Sequence, residues 1–176
     1  MKLGLIGYPL GHSWSNEIHP YLIGEDYSKW QLPPEELESF MHDKAFDGIN
    51  VTIPYKTQVI PYLNELTPIA REIGAVNCIV NKNGKLIGDN TDYQGLKDML
   101  VKHDVPVSVH HVAILGSGGA SKAACTVVKD LGGIPVVVSR HPHKGMVSYE
   151  QLYEEEVFYT VIINATPVGM FPNSDE

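Results

Sequence analysis

Lys56 lies just past a short apolar run, Asn50-Val51-Thr52-Ile53, that stops at Pro54. An apolar run ended by proline reads as a buried strand, and open α/β sheets bind ligands at the carboxyl ends of their strands. Thr52 and Lys56 therefore project where a ligand can sit, and an amine there can work on a proton or a charge. A second strand-to-helix passage, Gly88-Asp89-Asn90-Thr91-Asp92, brings a carboxylate to a helix start. Two roles fit Asp92: a first-turn acid favoured by the helix dipole, or a reacting group. Asn77 is an amide inside the apolar run Ala75-Val76-Asn77-Cys78-Ile79. Burying it unpartnered costs about 1–3 kcal/mol, so it bonds either backbone or ligand. Ser13 and Ser15 precede a helical stretch, where a hydroxyl caps open amides or helps the positive helix end receive an anion. His12 and His19, each a lone histidine near a turn, read as structural.

A different chemistry is written further on. The apolar run 111–115 enters Gly116-Ser117-Gly118-Gly119-Ala120-Ser121, a G-x-G-x-x pattern with Ser121 where Gly or Ala usually closes it. With a strand before it, a helix after it and a second strand following, this turn aims its amides and a helix N-terminus at a pyrophosphate. The second strand ends Val138-Ser139-Arg140-His141 without the carboxylate that would accept the ribose hydroxyls of NAD. Arg140 and Lys144 suit a 2′-phosphate instead, the first as a planar fork and the second as a point charge, so NADP is preferred.

These groups need a scaffold of alternating strands and helices, and that rhythm predicts an α/β protein. Strands are expected at 2–7, 47–53, 75–81, 85–88, 111–115, 134–139 and 160–164, and helices at 15–23, 34–42, 92–103 and 120–131. Asn83-Gly84 predicts a tight hairpin turn. Pro106 breaks the helical period, which sets a domain boundary there: 1–105 with a mixed or parallel sheet, and 106–176 as a Rossmann-type unit holding its first three strands. In 176 residues, 43% hydrophobic and 19% charged residues describe a globular protein, and a net charge of −8 disfavours nucleic-acid binding. The first residues can build neither a signal peptide nor a membrane span, which predicts a cytoplasmic protein. Cys78 and Cys125 lack metal-ligand spacing and read as reduced core thiols, with no metal expected.

Taken in order, Gly11-His12-Ser13-Trp14-Ser15, Asn50-Val51-Thr52-Ile53-Pro54-Tyr55-Lys56, Gly74-Ala75-Val76-Asn77, Asn90-Thr91-Asp92 and Gly116-Ser117-Gly118-Gly119-Ala120 resemble the shikimate dehydrogenase family. Asn164-Ala165-Thr166-Pro167-Val168-Gly169-Met170 extends the resemblance, which covers essentially the whole chain. It implies reversible, NADPH-dependent reduction of 3-dehydroshikimate to shikimate on the route to chorismate and the aromatic amino acids. It implies a substrate carboxylate on the hydroxyls of Ser13 and Ser15, with Thr52, Asn77 and Asp92 around the ring hydroxyls and Lys56 with Asp92 as the catalytic pair. On the cofactor side it implies contacts from Gly116, Ser117, Gly118, Gly119 and Ala120, from Ser139, Arg140, His141 and Lys144, and from Asn164 and Thr166. Desolvation lowers the pKa of such a lysine while a nearby carboxylate raises it, and the sequence leaves that balance open.

Departures at Trp14, Asn16, Cys78 and Ser121 remove no proposed polar contact. They keep open a relative that prefers quinate, and a noncatalytic shikimate-binding module is the alternative from another class. Family members continue well beyond Glu176. The resemblance therefore implies a truncated chain, lacking the remaining cofactor strands, a substrate-contacting glutamine and a returning helix. The expected consequences are weak NADP binding, little turnover, and association into a homodimer through an unpaired edge of the strand at 112–115.

Overall fold

The computed structural model describes residues 1–11, 13–143, 145–154 and 157–170. The chain forms two compact units, one spanning Met1–Thr91 and the other beginning at Asp92.

The first unit runs β1 (Leu3–Gly7), α1 (Ser15–Ile23), β2 (Tyr27–Gln31), α2 (Leu37–Asp43), β3 (Gly48–Val51), β4 (Glu65–Leu66), α3 (Pro68–Ile73), β5 (Cys78–Lys82) and β6 (Lys85–Asp89). Its strands make a six-stranded sheet in the order β2-β1-β3-β5-β6-β4. β1 is parallel to β2 and β3, β4 is parallel to β6, and β5 is antiparallel to both its neighbours, so the sheet is mixed as expected. The β5–β6 hairpin turns at Asn83 and Gly84, whose φ values of 54° and 83° suit a two-residue turn.

Register decides which residues face the core. Ile6 pairs with Val51 and Ile49 with Ile79, and these side chains pack with Tyr55 and Leu86 in one cluster. Leu5, Asn50 and Cys78 pair in a row one residue out of step, so they lie on the opposite face. Three elements of this unit leave little trace in the sequence. β2 reads Tyr-Ser-Lys-Trp-Gln and lies at the sheet edge, while β4 has two residues and α3 six. The expected strand 75–81 begins only at Cys78, and the helix expected over 34–42 opens as a 3-10 turn, Pro34–Glu36, before α2.

The second unit runs α4 (Asp92–Lys102), β7 (His111–Leu115), α5 (Gly119–Asp130), β8 (Ile134–Val138), β9 (Met146–Val147), α6 (Tyr149–Glu154) and β10 (Tyr159–Asn164). The four strands are parallel in the order β10-β7-β8-β9, which matches the first four positions of a doubly wound sheet. This corrects the expected count of three. β9 is the third strand, and its two residues are too short for periodicity to reveal. The strand near 160–164 is instead the fourth, on the far side of β7. Among the described residues β7 is therefore paired along both edges, and β10 and β9 lie at the two edges of the sheet.

The units part ahead of α4, whereas Pro106 had marked the expected boundary. α4 belongs with the second unit because the Tyr93 hydroxyl donates to Asp130 of α5, and Lys97 Nζ approaches the same carboxylate at 3.9 Å. Val107 is buried among Leu100, Val112 and Val128, so the segment around Pro106 is core. Among the described residues no helix is long and apolar enough to cross a membrane.

Candidate active site

At the head of α1, Ser13 Oγ accepts the Ser15 backbone N–H at 3.3 Å. The residue at the formal cap position is Trp14, which makes no side-chain capping bond. Ser13 thus does part of the capping, and both serines stay half-buried with hydroxyls at a helix N-terminus. That is the setting in which a carboxylate is favoured.

β3 delivers the next two groups. Beyond its end, Thr52 N–H donates to Ile6 O at 3.0 Å, and Tyr55 N–H donates to Thr52 O at 2.9 Å. Tyr55 is fully buried, and its hydroxyl donates to Leu32 O at 2.5 Å. Burial pushes that hydroxyl's pKa above the ordinary tyrosine value, so it stays a donor. The carbonyl of Lys56 accepts Val76 N–H at 2.7 Å. Lys56 is therefore held on both sides of its Cα, by a buried tyrosine and by the lead-in to β5, with its side chain half-buried.

Asn77 sits just ahead of β5 and is 9% exposed. Its Oδ1 accepts Thr91 N–H at 2.8 Å, and its Nδ2 donates to Thr91 Oγ1 at 3.0 Å. Neighbouring Asn90 is buried and donates from Nδ2 to Ala75 O at 2.9 Å. These bonds hold residues 90–91 against residues 75–77, and Asp92 follows Thr91 directly as the first residue of α4. Of the two kinds of partner read from sequence for Asn77, the protein partner is the backbone and hydroxyl of Thr91, which the amide clamps just before Asp92. Within this unit Ser13, Ser15, Thr52, Lys56 and Asn77 all belong to segments at strand or helix ends.

Three polar residues here escape the sequence reading. Asn50 lies inside an apolar strand, the same signal that marks Asn77. Tyr27 belongs to the unmarked edge strand β2, and Asn90 was visible only as part of a motif. The Cys78 thiol is pushed up by burial and by Asp89 across the strand pair, which suits an inert thiol, though it lies on the sheet face away from the core.

The second unit gathers its own set at the carboxyl ends of β7, β8 and β10. Gly116 adopts φ +106°, and a Cβ there would stand 2.9 Å from Ala165 O. Only glycine lets the turn lie this close to the end of β10. Gly118 has an extended backbone, φ −81° and ψ −169°, at the cap of α5, and a Cβ on it would meet nothing within 4 Å. Its backbone is thus open to approach, with Gly119 and Ala120 supplying first-turn amides. Ser121, at the unusual closing position, is buried and hydrogen-bonds the Cys125 thiol, which satisfies its hydroxyl.

Ser139 is also buried, and its Oγ accepts His141 N–H at 3.2 Å, which turns Arg140 and His141 outward at the end of β8. Lys144 lies outside the described residues. Asn164 Oδ1 accepts both the N–H and the hydroxyl of Thr166, at 3.0 and 2.7 Å, and its Nδ2 donates to Val168 O. The strand order reverses between β7 and β10, the place at which doubly wound sheets bind nucleotides. A glycine backbone left open at Gly118, beside a helix N-terminus, fits a pyrophosphate. Among the described residues no group of three or more His, Cys, Asp or Glu is placed to hold a metal.

Residues 5–79 match the family model described as the shikimate dehydrogenase substrate binding domain. The chain is 35% identical over 185 residues to a shikimate dehydrogenase (NADP(+)) from Ignicoccus hospitalis, covering 97% of this chain and 70% of that one. Among solved structures, shikimate dehydrogenase 1 from Peptoclostridium difficile matches with a TM-score of 0.88 at 35% identity, over 98% of this chain and 70% of the other. The Thermus thermophilus shikimate 5-dehydrogenase, solved in complex with NADP(H) and shikimate, matches with a TM-score of 0.80 at 28% identity, over 97% and 70%. Matches of this extent span both units and every motif named above, and this chain belongs to the shikimate dehydrogenase family.

Proposed function

We propose that this chain interconverts 3-dehydroshikimate and shikimate with NADP as its cofactor, in a cytoplasmic route to aromatic compounds. Bound NADPH supplies the hydride. The chain's own residues do the rest. Ser13 and Ser15 hold the substrate carboxylate at the head of α1, and Thr52 and Asn77 bond the ring hydroxyls. Lys56 stands beside the ketone oxygen, stabilises the charge that grows there on reduction and gives it a proton; in the reverse direction the neutral amine takes the hydroxyl proton. Asp92 is the second member of the catalytic pair and bonds a ring hydroxyl. Assistance of this kind is worth about 10² to 10⁴ in rate. On the other unit, the turn 116–120 receives the pyrophosphate, Arg140 with Ser139, His141 and Lys144 receives the 2′-phosphate, and Asn164 with Thr166 lines the turn from the end of β10.

What supports this reading most is the pairing of two chemically distinct polar sets in one family member. One is a lysine braced at a strand end. The other is a glycine turn, closed to any side chain at Gly116 and open to approach at Gly118. We also propose that two copies associate through the edge strand β10, where Phe158 and Ile162 are 84% and 64% exposed. Steady-state turnover on shikimate and quinate, each with NADP and NAD, tests the functional reading. Turnover highest with shikimate and NADP is expected, and a preference for quinate with NAD would overturn it.

A further inference from the structure

A polar chain crosses the first sheet on the face away from its core. The Tyr27 hydroxyl reaches over β1 and donates to Asn50 Oδ1 at 2.6 Å. Asn50 Nδ2 lies 3.5 Å from Asn77 O, which also accepts Val51 N–H at 2.8 Å. On its other side the Tyr27 ring stacks on His19 of α1, with centroids 4.1 Å apart and planes 14° from parallel. His19 Nδ1 in turn lies 2.9 Å from Ser15 O, so that nitrogen carries the hydrogen. The set thus runs without a gap from Ser15 to Asn77.

Two features give this chain a task. α1 buries none of its side chains, so it lacks the apolar anchorage that fixes most surface helices. The His19–Tyr27 stack and the Ser15 bond supply an anchor in its place. The Tyr27 hydroxyl also fixes the Asn50 amide, because a flipped amide would set its oxygen against the Asn77 carbonyl. Burial raises the Tyr27 pKa far above its ordinary value, so the hydroxyl remains a donor at any working pH.

We propose that His19 and Tyr27 are positioning residues, which hold the first turn of α1 against β3 so that the serine hydroxyls and the Asn77 amide meet shikimate as one preformed surface. This rests on the reading of that surface as the shikimate site. Calorimetric titration of the 176-residue chain with shikimate tests both. Tyr27→Phe keeps the stacking ring and loses only the hydroxyl, so affinity should fall about three- to tenfold with unchanged stoichiometry. In a Ser15→Ala background the same substitution should cost much less, because the hydroxyl it positions is already gone. His19→Phe keeps a ring on Tyr27 but loses the bond to Ser15, and should show the same coupling. No shikimate binding by the unsubstituted chain would overturn the functional reading itself. Normal binding with an unaffected Tyr27→Phe variant, or fold-losses that simply multiply with Ser15→Ala, would overturn the positioning role alone.

Discussion

Replacing Gly116 with alanine should cost the second unit about 2–4 kcal/mol. A non-glycine residue held at positive φ costs roughly 1–3 kcal/mol, and Gly116 sits at φ +106°. The new Cβ would also press on Ala165 O at 2.9 Å, a backbone atom in a strand end whose N–H is held by Leu115 O at 2.8 Å. Such overpacking adds about 1 kcal/mol. For a chain of this size each kcal/mol lowers Tm by about 2–4 °C, so a fall of about 4–16 °C is expected. Gly118→Ala is the control. Its φ of −81° suits any residue and a Cβ there has open space, so only a poorer helix cap is lost, about 0.5–1 kcal/mol. Its methyl group would nevertheless stand where we place the pyrophosphate, and NADP affinity should drop at least about tenfold. Thermal melts by circular dichroism and NADP titrations read the two quantities. A Gly116→Ala variant as stable as the parent, or a Gly118→Ala variant that binds NADP normally, would refute the reasoning.

Four further outcomes are expected. Lys56→Met should lower kcat by about 10² to 10⁴ while leaving NADP affinity intact, as measured by steady-state rates and cofactor titration. Tyr55→Phe leaves the Leu32 carbonyl without its donor and should cost about 1–3 kcal/mol in urea unfolding. Burial raises the pKa of both thiols, Cys78 and Cys125, so less thiolate forms, and at about pH 8.5 both should react with Ellman's reagent more slowly than an exposed cysteine. Ile162→Lys puts a charge on β10 and should weaken the proposed self-association, read as a smaller sedimentation coefficient in sedimentation velocity.

The parts of the fold that sequence makes legible are those with enough residues to declare a period. β1, α1, β7, α5 and β8 lie within a residue or two of their expected limits, because each is a strand of five residues or a helix of nine or more. The two-residue strands β4 and β9 carry no period, and missing β9 misplaced the sheet edge. β2 hides for another reason: an edge strand with mixed aromatic and polar residues looks like a loop. That omission also concealed Tyr27. Site residues were legible where a polar type interrupts an apolar run, as at Asn77, or where glycine is imposed by geometry, as at Gly116. Partners that act through tertiary register, such as Tyr27 over β1 to Asn50, have no local signature, since the pairing exists only once the strand order is set.

The most direct test is a crystal structure of this chain grown with shikimate. The carboxylate should lie within hydrogen-bond distance of Ser13 and Ser15 Oγ, with a ring oxygen beside Lys56 Nζ and another beside Asn77. Shikimate bound elsewhere, or bound with its carboxylate away from both serines and no oxygen facing Lys56, would contradict the account.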